Sequence, residues 1–151
     1  MTITIERPTA VEQAEATPIA NHPTRRLVVA IAAVDELLGF VDYARLPELH
    51  AVQVAAWSRG TEATMQLGTC GGDAEKAAAL LEWRGAVDGA RVSVVLRSGY
   101  WSAQAHLPAF GATVTVWTHL HGLTEAQAER LERQPEAAYA VLVELAAGRQ
   151  S

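Results

Sequence analysis

Apolar positions along the chain follow first a helical period and then a strand period. Between Thr24 and Tyr43 they recur every three or four residues, which is typical of one buried helix face. We predict a first helix over this segment, with Thr24 as its N-cap. The predicted buried stripe consists of Leu27, Ile31, Val34, Leu38 and Val41.

From His50 to Gly68 polar and apolar residues alternate, and alternation puts successive side chains on opposite faces of a strand. The arms HAVQVAAW and TEATMQLG flank Arg59-Gly60, where glycine suits the positive φ of a tight hairpin turn. We predict a β-hairpin in which Ala56 lies opposite Ala63. Its apolar face would consist of Val52, Val54, Ala56, Ala63, Met65 and Leu67.

Residues 91–121 alternate in the same way in three segments, which predicts a three-stranded meander. Pairing across the second turn of the meander sets Ala105 opposite Val114. A slip of one residue would move every side chain to the other face, so the apolar pattern fixes which face is buried. Trp101 is therefore predicted on the buried face and Trp117 on the opposite face.

Three further helices are predicted around these strands. The second helix begins at Asp73 as its N-cap, with Trp83 toward the side of its apolar stripe. The third begins at Thr124, and Gln127 three residues later completes a capping box. Pro135 interrupts the helical pattern and suits the first turn of a fourth helix.

The resulting order of elements is α-ββ-α-βββ-αα, which indicates an α+β fold. We predict an antiparallel sheet of about five strands with the helices packed mainly on one face. Residues 1–23 contain prolines and no sustained period, so we expect a flexible N-terminal tail. Residues 24–148 are predicted to form a single α+β domain, and residues 149–151 its C-terminal end.

Charge and apolar run length argue against two kinds of partner. With a net charge of −5 and a pI of about 5.5, the chain lacks the basic surface of a protein that coats nucleic acid. The same charge gives it no attraction to an anionic membrane. No apolar run approaches the roughly 20 residues of a bilayer-spanning helix. We therefore expect no membrane partner, and nucleic acid is disfavoured.

Cysteine and lysine usage indicates a compartment and a source. Cys70 is the single cysteine, so no intrachain disulfide can form, which fits a reducing compartment. The first residues also lack the basic and apolar regions of a secretory signal. We expect a cytoplasmic protein. Lys76 is the only lysine, and frequent alanine and arginine are typical of GC-rich bacterial genes.

Candidate catalytic groups are few. The chain contains no nucleotide-binding, zinc-protease, nucleophile-elbow or CxxC motif. Cys70 precedes the second predicted helix, whose N-terminus would stabilise a thiolate, whereas the negative charge of Asp73 would oppose it. We expect Cys70 to be an ordinary thiol in a loop that leads into the helix, and we predict no catalytic residues.

The histidines offer a possible metal site. His119 and His121 are two residues apart and share a face, but the predicted register puts His106 opposite Thr113, far along the sheet. Zinc needs three or four convergent ligands, so we predict neither a metal site nor a cofactor. A small enzyme with a pocket around Cys70 or these histidines remains an alternative.

The second, polar face of the sheet is the best candidate for function. It mixes aromatic and arginine side chains with small polar ones, a composition that is typical of binding surfaces. Contact with solvent, cover by the last two helices, or a homodimer contact would also explain it. The residues predicted to form the binding surface are Trp57, Arg91, Arg97, Tyr100, Gln104, Trp117 and His119.

These observations favour a small non-enzymatic interaction or accessory protein. It would bind a protein partner or a second copy of itself through this face. Besides the enzyme, a further alternative is a protein that binds single-stranded nucleic acid on an aromatic sheet. The acidic charge and the small number of arginines, Arg91 and Arg97, weigh against that alternative.

Overall fold

The computed structural model describes residues 22–57, 60–109 and 112–148. These residues form four α-helices and one five-stranded sheet, so the predicted α+β class is confirmed. The elements are α1 (Pro23–Phe40), β1 (Leu49–Trp57), β2 (Gly60–Leu67), α2 (Asp73–Gly85), β3 (Arg91–Arg97), β4 (Tyr100–Ala109), β5 (Ala112–Leu120), α3 (Glu125–Arg133) and α4 (Ala138–Ala147). Short 3₁₀ helices cover Tyr43–Arg45 and Pro135–Ala137.

The sheet is mixed, and the prediction of a purely antiparallel sheet is wrong. Its strand order is β1-β2-β5-β4-β3, and the central pair β2 and β5 is parallel. Hairpin connections make the other three pairs antiparallel. After β2 the chain forms α2, β3 and β4 before it returns as β5 beside β2. A connection of this length allows the two strands to run parallel.

Two of the predicted registers are wrong by two residues, but the predicted faces are correct. Ala63 pairs with Val54 rather than with Ala56, and Ala105 pairs with Val116 rather than with Val114. A shift of two residues keeps every side chain on its own face, because side chains alternate along a strand with a period of two. The alternation therefore determined the faces without determining the pairing.

The first helix begins one residue earlier and ends three residues earlier than predicted. Its N-cap is His22, whose Nδ1 accepts a hydrogen bond from the backbone of Thr24, and Pro23 occupies the first turn. Pro23 therefore belongs to the helix and not to the tail. Ile31, predicted on the buried stripe, is 56% exposed, whereas the neighbouring Ala30 is buried. Alanines thus form much of the buried side of α1, together with Val34 and Leu37.

Asp73 has a different role from the predicted one. The N-cap of α2 is Gly72, and Asp73 is the first residue of the helix. Its carboxylate accepts hydrogen bonds from the backbone N–H groups of His121, at 3.0 Å, and Gly122, at 2.6 Å. Asp73 thus ties the loop after β5 to the start of α2.

The core lies between the helices and one face of the sheet, as predicted. Trp83 is among its largest side chains and is 1% exposed, so its predicted position at the side of α2 is wrong. The indole satisfies its one donor inside the core, because Nε1–H donates to the carbonyl of Pro47 at 2.9 Å. Other fully buried members are Leu37, Met65, Leu80, Leu107, Val114, Val116, Leu120, Val141 and Leu142.

The C-terminal helices follow the sequence signals closely. Thr124 and Gln127 form the predicted capping box, with each side chain accepting from the other's backbone N–H. Pro135 begins the 3₁₀ turn that leads into α4. No helix within the described ranges is long and apolar enough to cross a membrane. The predicted tail before His22 and the C-terminal end from residue 149 lie outside the described residues.

Candidate binding face

One face of the sheet is free of helix cover in the described part of the chain. The buried strand residues that join the helices in the core all belong to the other face. We call the uncovered side the open face. The strand registers place Ser93, Gln104, Trp117 and Gln66 in one row across it. Among the described residues, the open face therefore has one continuous surface that spans β3, β4, β5 and β2.

Aromatic rings gather at one end of the open face. The ring of His119 lies between the rings of Tyr100, with centroids 4.1 Å apart, and Trp117, at 4.8 Å. We call these three residues the ring cluster. His121 extends it, since its ring centroid lies 6.3 Å from that of His119 and 6.5 Å from that of Tyr100. All three members are half-buried, although no described helix covers them.

The backbone explains why these rings meet. Trp117 and His119 are two residues apart on β5, so both point to the open face. Tyr100 begins β4 directly after a tight turn, in which Gly99 adopts a φ of 82° that favours glycine. The register pairs Ser102 with His119, and Tyr100 is therefore its diagonal neighbour. The spacing of two residues along β5 and the tight turn before β4 thus place the three rings together.

A shallow hollow of about 180 Å³ lies beside the ring cluster. All of the residues that line it are on strands, and it contains more polar than apolar groups. Within it, the Gln104 side chain donates a hydrogen bond to the Ser102 hydroxyl at 3.1 Å. The lining residues are Glu62, Thr64, Arg97, Tyr100, Ser102, Gln104, Thr115, Trp117 and His119.

The surroundings of His119 favour the neutral form of its ring. Burial lowers the pKa of His119 below its usual value, and the nearby His121 and Lys76 lower it further. Arg97 is therefore the fixed positive charge on the hollow, and Glu62 the fixed negative one. A neutral imidazole can still donate one hydrogen bond and accept another, so His119 is equipped to bind polar groups.

His106 is held by two hydroxyl groups on the same face. Its Nε2 lies 2.8 Å from the Ser93 Oγ, and its Nδ1 lies 3.2 Å from the Thr115 Oγ1. Burial lowers the pKa of His106, and the positive charge of Arg91 lowers it further. A serine–histidine pair resembles part of a catalytic triad, but the third partner here is a hydroxyl and not a carboxylate. The two hydroxyl groups thus fix the orientation of the His106 ring on the open face.

The structure brings five of the seven predicted site residues together. Arg97, Tyr100, Gln104, Trp117 and His119 all line the hollow. The remaining two lie elsewhere, as their registers show.

Arg91 is exposed and pairs with His106, two residue pairs further along β4 than Gln104. Trp57 pairs with Gly60 at the hairpin end of β1, which is the opposite end of the sheet from Tyr100. The predicted binding surface did not include His121, although His119 and His121 were predicted to share a face. Its spacing of two from His119 was the available signal.

The second candidate site, Cys70, is an exposed free thiol. Its Sγ lies 3.6 Å from the carbonyl oxygen of Gly68, and no histidine is among its recorded hydrogen-bond partners. Within the described ranges, no three His, Cys, Asp or Glu side chains converge in a way that could hold a metal ion. His119 at the end of β5 and His121 just after it lie beside the ring of Tyr100.

An apolar cavity of about 410 Å³ lies away from the open face, between the end of α1 and the start of β1. Leu38, Leu46, Leu49 and Trp83 form much of its wall, and Glu48 is its one charged lining residue. Ligand sites usually add several convergent polar groups to an apolar wall, and this cavity has few. Its chemistry is that of imperfect packing at the core edge.

Comparison with known protein families, with curated proteins and with solved structures finds no match to this chain.

Proposed function

We propose that this protein is a non-enzymatic interaction protein that binds another protein through the ring cluster and the hollow of its open face. The observation that carries the proposal is the meeting of Tyr100, Trp117 and His119 on a sheet face that no described helix covers. Tyrosine, tryptophan and arginine dominate the binding energy of protein interfaces, and Arg97 lines the same hollow.

A solvated sheet face would not need this composition. Threonine suits a solvated strand face, and Thr64, Thr113 and Thr115 lie on the remaining open face together with serine and glutamine. Rings that lie against one another without cover from a described helix, and that are only half-buried, leave apolar area in water. A partner that covers the ring cluster would remove that area from water, at roughly 25 cal/mol per Å².

The polar lining of the hollow favours a specific partner over non-specific adhesion. Gln104, Ser102 and His119 present both hydrogen-bond donors and acceptors, and Arg97 can receive a carboxylate in a bidentate contact. Such groups must be matched by the partner when they are buried, because an unmatched polar group costs about 1–3 kcal/mol. We therefore expect the polar groups of the hollow to determine which partner binds, and the rings to contribute most of the binding energy.

The test is a titration of a captured partner against matched variants. Proteins that the immobilised parent retains are identified and purified, and each is titrated against Trp117→Ala and Thr113→Ala. Thr113 is an exposed residue at the other end of β5, so it controls for changes on the same strand. We expect Trp117→Ala to weaken binding at least about thirtyfold, equal to about 2 kcal/mol, and Thr113→Ala to leave it unchanged. Equal affinities for both variants would refute the proposal.

Single-stranded nucleic acid is a second candidate ligand, because the ring cluster and Arg97 together could stack and neutralise one nucleotide. The net charge of −5 opposes it. Fluorescence titration with short single-stranded oligonucleotides at two salt concentrations tests this directly. Binding that weakens with salt and is lost in Trp117→Ala would replace the protein partner with a nucleic acid.

Catalysis is not part of the proposal, although the enzyme alternative has a simple test. If Cys70 were an activated nucleophile, its alkylation would continue well below pH 7, since the thiolate is the reactive species. Such alkylation would support the enzyme alternative, whereas the interaction protein requires that partner binding is unchanged in Cys70→Ser. The cytoplasmic location and the bacterial source remain predictions from composition, and cell fractionation would test the location.

A further inference from the structure

The two edges of the sheet differ in their protection against pairing. The β3 edge carries the exposed side chains of Arg91 and Arg97. The β1 edge runs from Ala51 to Trp57 with no charged residue and no proline. Natural proteins usually guard a free edge with charges, prolines or short strands, because its unpaired N–H and C=O groups attract another strand. A register shift interrupts β1 between Leu49 and Ala51, but from Ala51 to Trp57 the edge is regular and has neither charge nor proline.

Exposed apolar side chains accompany this edge. Val52 lies on the helix-covered side of β1 and is 50% exposed. On α1, Val28 is 44% and Ile31 is 56% exposed. Together with the backbone of β1, these three side chains form what we call the β1 edge surface.

The flank of α1 that carries Ile31 faces the β1 side of the sheet. Leu38 lies two turns after Ile31 on the same flank, and it lines a cavity together with Leu49 of β1. The opposite flank of α1 faces the interior, because Val29 lines a cavity with Ala112 and Thr113 of β5. A strand edge and an apolar helix flank therefore lie one above the other along one side of the molecule.

We propose that two copies of this chain associate through the β1 edge surface. The two β1 strands pair antiparallel about a two-fold axis perpendicular to the sheet, and the two α1 helices face each other above them. A strand edge is complementary to its own copy in this arrangement, and the valines and Ile31 of both copies become buried. The guarded β3 edge prevents further addition, so the assembly closes at two copies.

A second copy fits this surface better than a lone peptide strand. A peptide would pair with β1 and leave the α1 flank exposed. In a second copy, the apolar flank of its own α1 would pack against the α1 flank of the first copy. A nine-residue strand and an 18-residue helix are both roughly 30 Å long. With a height of about 20 Å for the two layers, the contact buries roughly 600 Å² per copy, at the lower limit of stable interfaces.

The dimer has a consequence for the open face. A two-fold axis perpendicular to the sheet leaves the open faces of both copies on the same side, with one ring cluster each. If the proposed function holds, a partner with two matching sites would bind with increased avidity. The dimer itself does not depend on that function.

Sedimentation of the full chain over a concentration series tests the proposal. We expect a monomer–dimer equilibrium in the parent, and a dimer at least tenfold weaker in Val52→Lys, because the two introduced charges approach each other at the interface. The matched control is Leu96→Lys, which alters a 55% exposed residue on the guarded β3 edge. It should stay within twofold of the parent. Ile31→Glu provides a second variant on the helix flank, and circular dichroism checks that each variant is folded.

Hydrogen exchange identifies the occupant of the edge. In a dimer, protection of β1 amides increases with protein concentration in the parent and not in Val52→Lys. A parent that is monomeric at every concentration, or an equal loss in Leu96→Lys, would overturn the proposal. The proposal would also be overturned if every β1 amide were protected equally at all protein concentrations. In that case the edge would be covered by a segment of the same chain, such as residues 1–21.

Discussion

The two faces of β5 show what separates the covered side of the sheet from the open side. Val114 and Val116 are completely buried against the helices, whereas Thr115, Trp117 and His119 alternate with them and remain half-buried. Backbone and neighbouring strands are the same for both sets. The covered side is accounted for by apolar burial, which stabilises the fold. The open side needs a different explanation, because folding does not require rings there.

The comparison implies that tryptophans on the two sides have different energetic roles. Trp83 and Trp101 belong to the covered side, where their loss removes core packing. Trp117 belongs to the open side, where its ring lies against that of His119. Substitutions at these three positions should therefore separate stability from binding.

The largest effect is expected for Trp83→Ala. This change removes a side chain that is 1% exposed and leaves the Pro47 carbonyl without its partner. We expect the free energy of unfolding to fall by about 3–5 kcal/mol. Urea denaturation measures it, with Trp83→Phe as a control that keeps a ring in the site. A loss below about 1 kcal/mol would mean that the covered side is not the stabilising one.

A smaller loss is expected for Trp101→Ala. Trp101 packs against the core but is only partly buried, because it pairs with the exposed Leu96 near the sheet edge. The expected decrease in unfolding free energy is about 2 kcal/mol, below the range for a fully buried tryptophan. A decrease as large as that of Trp83→Ala would show that the edge is covered in solution.

Trp117→Ala should change stability least among the tryptophan variants. Its ring contacts that of His119, and Trp117 is not part of the core formed by the described residues. We expect the unfolding free energy to stay within about 1 kcal/mol of the parent when no partner is present. The same denaturation experiment provides the measurement. A loss of about 3 kcal/mol or more would place Trp117 in the core and remove the contrast between the two sides.

The open face should also make stability depend on pH. Burial lowers the pKa of His106 and of His119 in the folded protein below the usual 6.5. The unfolded chain then binds more protons just below pH 6.5, so stability is present above that pH and decreases as the pH falls through it. In His106→Gln, which keeps hydrogen-bonding groups but cannot titrate, this decrease should be shallower. Urea midpoints across the range measure it, and an unchanged slope would exclude His106 as a contributor.

The sequence was sufficient to assign faces but not to assign partners across the sheet. Alternation separated Val116 from Trp117 correctly, because β5 has one buried side. The same alternation could not distinguish registers two residues apart, so Ala105 was paired with the wrong residue. The parallel contact between β2 and β5 joins segments far apart in the chain, and no local pattern encodes it.

The candidate site was predictable to a similar degree. Arg97, Tyr100 and Trp117 could be placed on one face from strand parity alone. Their closeness to one another depends on register and on strand order, which also separates Trp57 from them. Trp83 was misplaced because its partner, Pro47, lies 36 residues earlier in the chain. Contacts of that kind arise from tertiary packing and have no periodic signal.

The indole N–H signals of the tryptophans in an NMR titration test the central claim most directly. The chain has four tryptophans, and Trp→Phe variants assign each signal. When a captured partner is added, we predict that the Trp117 signal shifts or broadens, because that ring lies at the proposed contact. The Trp83 signal should stay unchanged, since its indole is buried on the opposite side of the sheet. A partner that binds tightly while the Trp117 signal stays fixed would contradict the assignment of the open face as the binding surface.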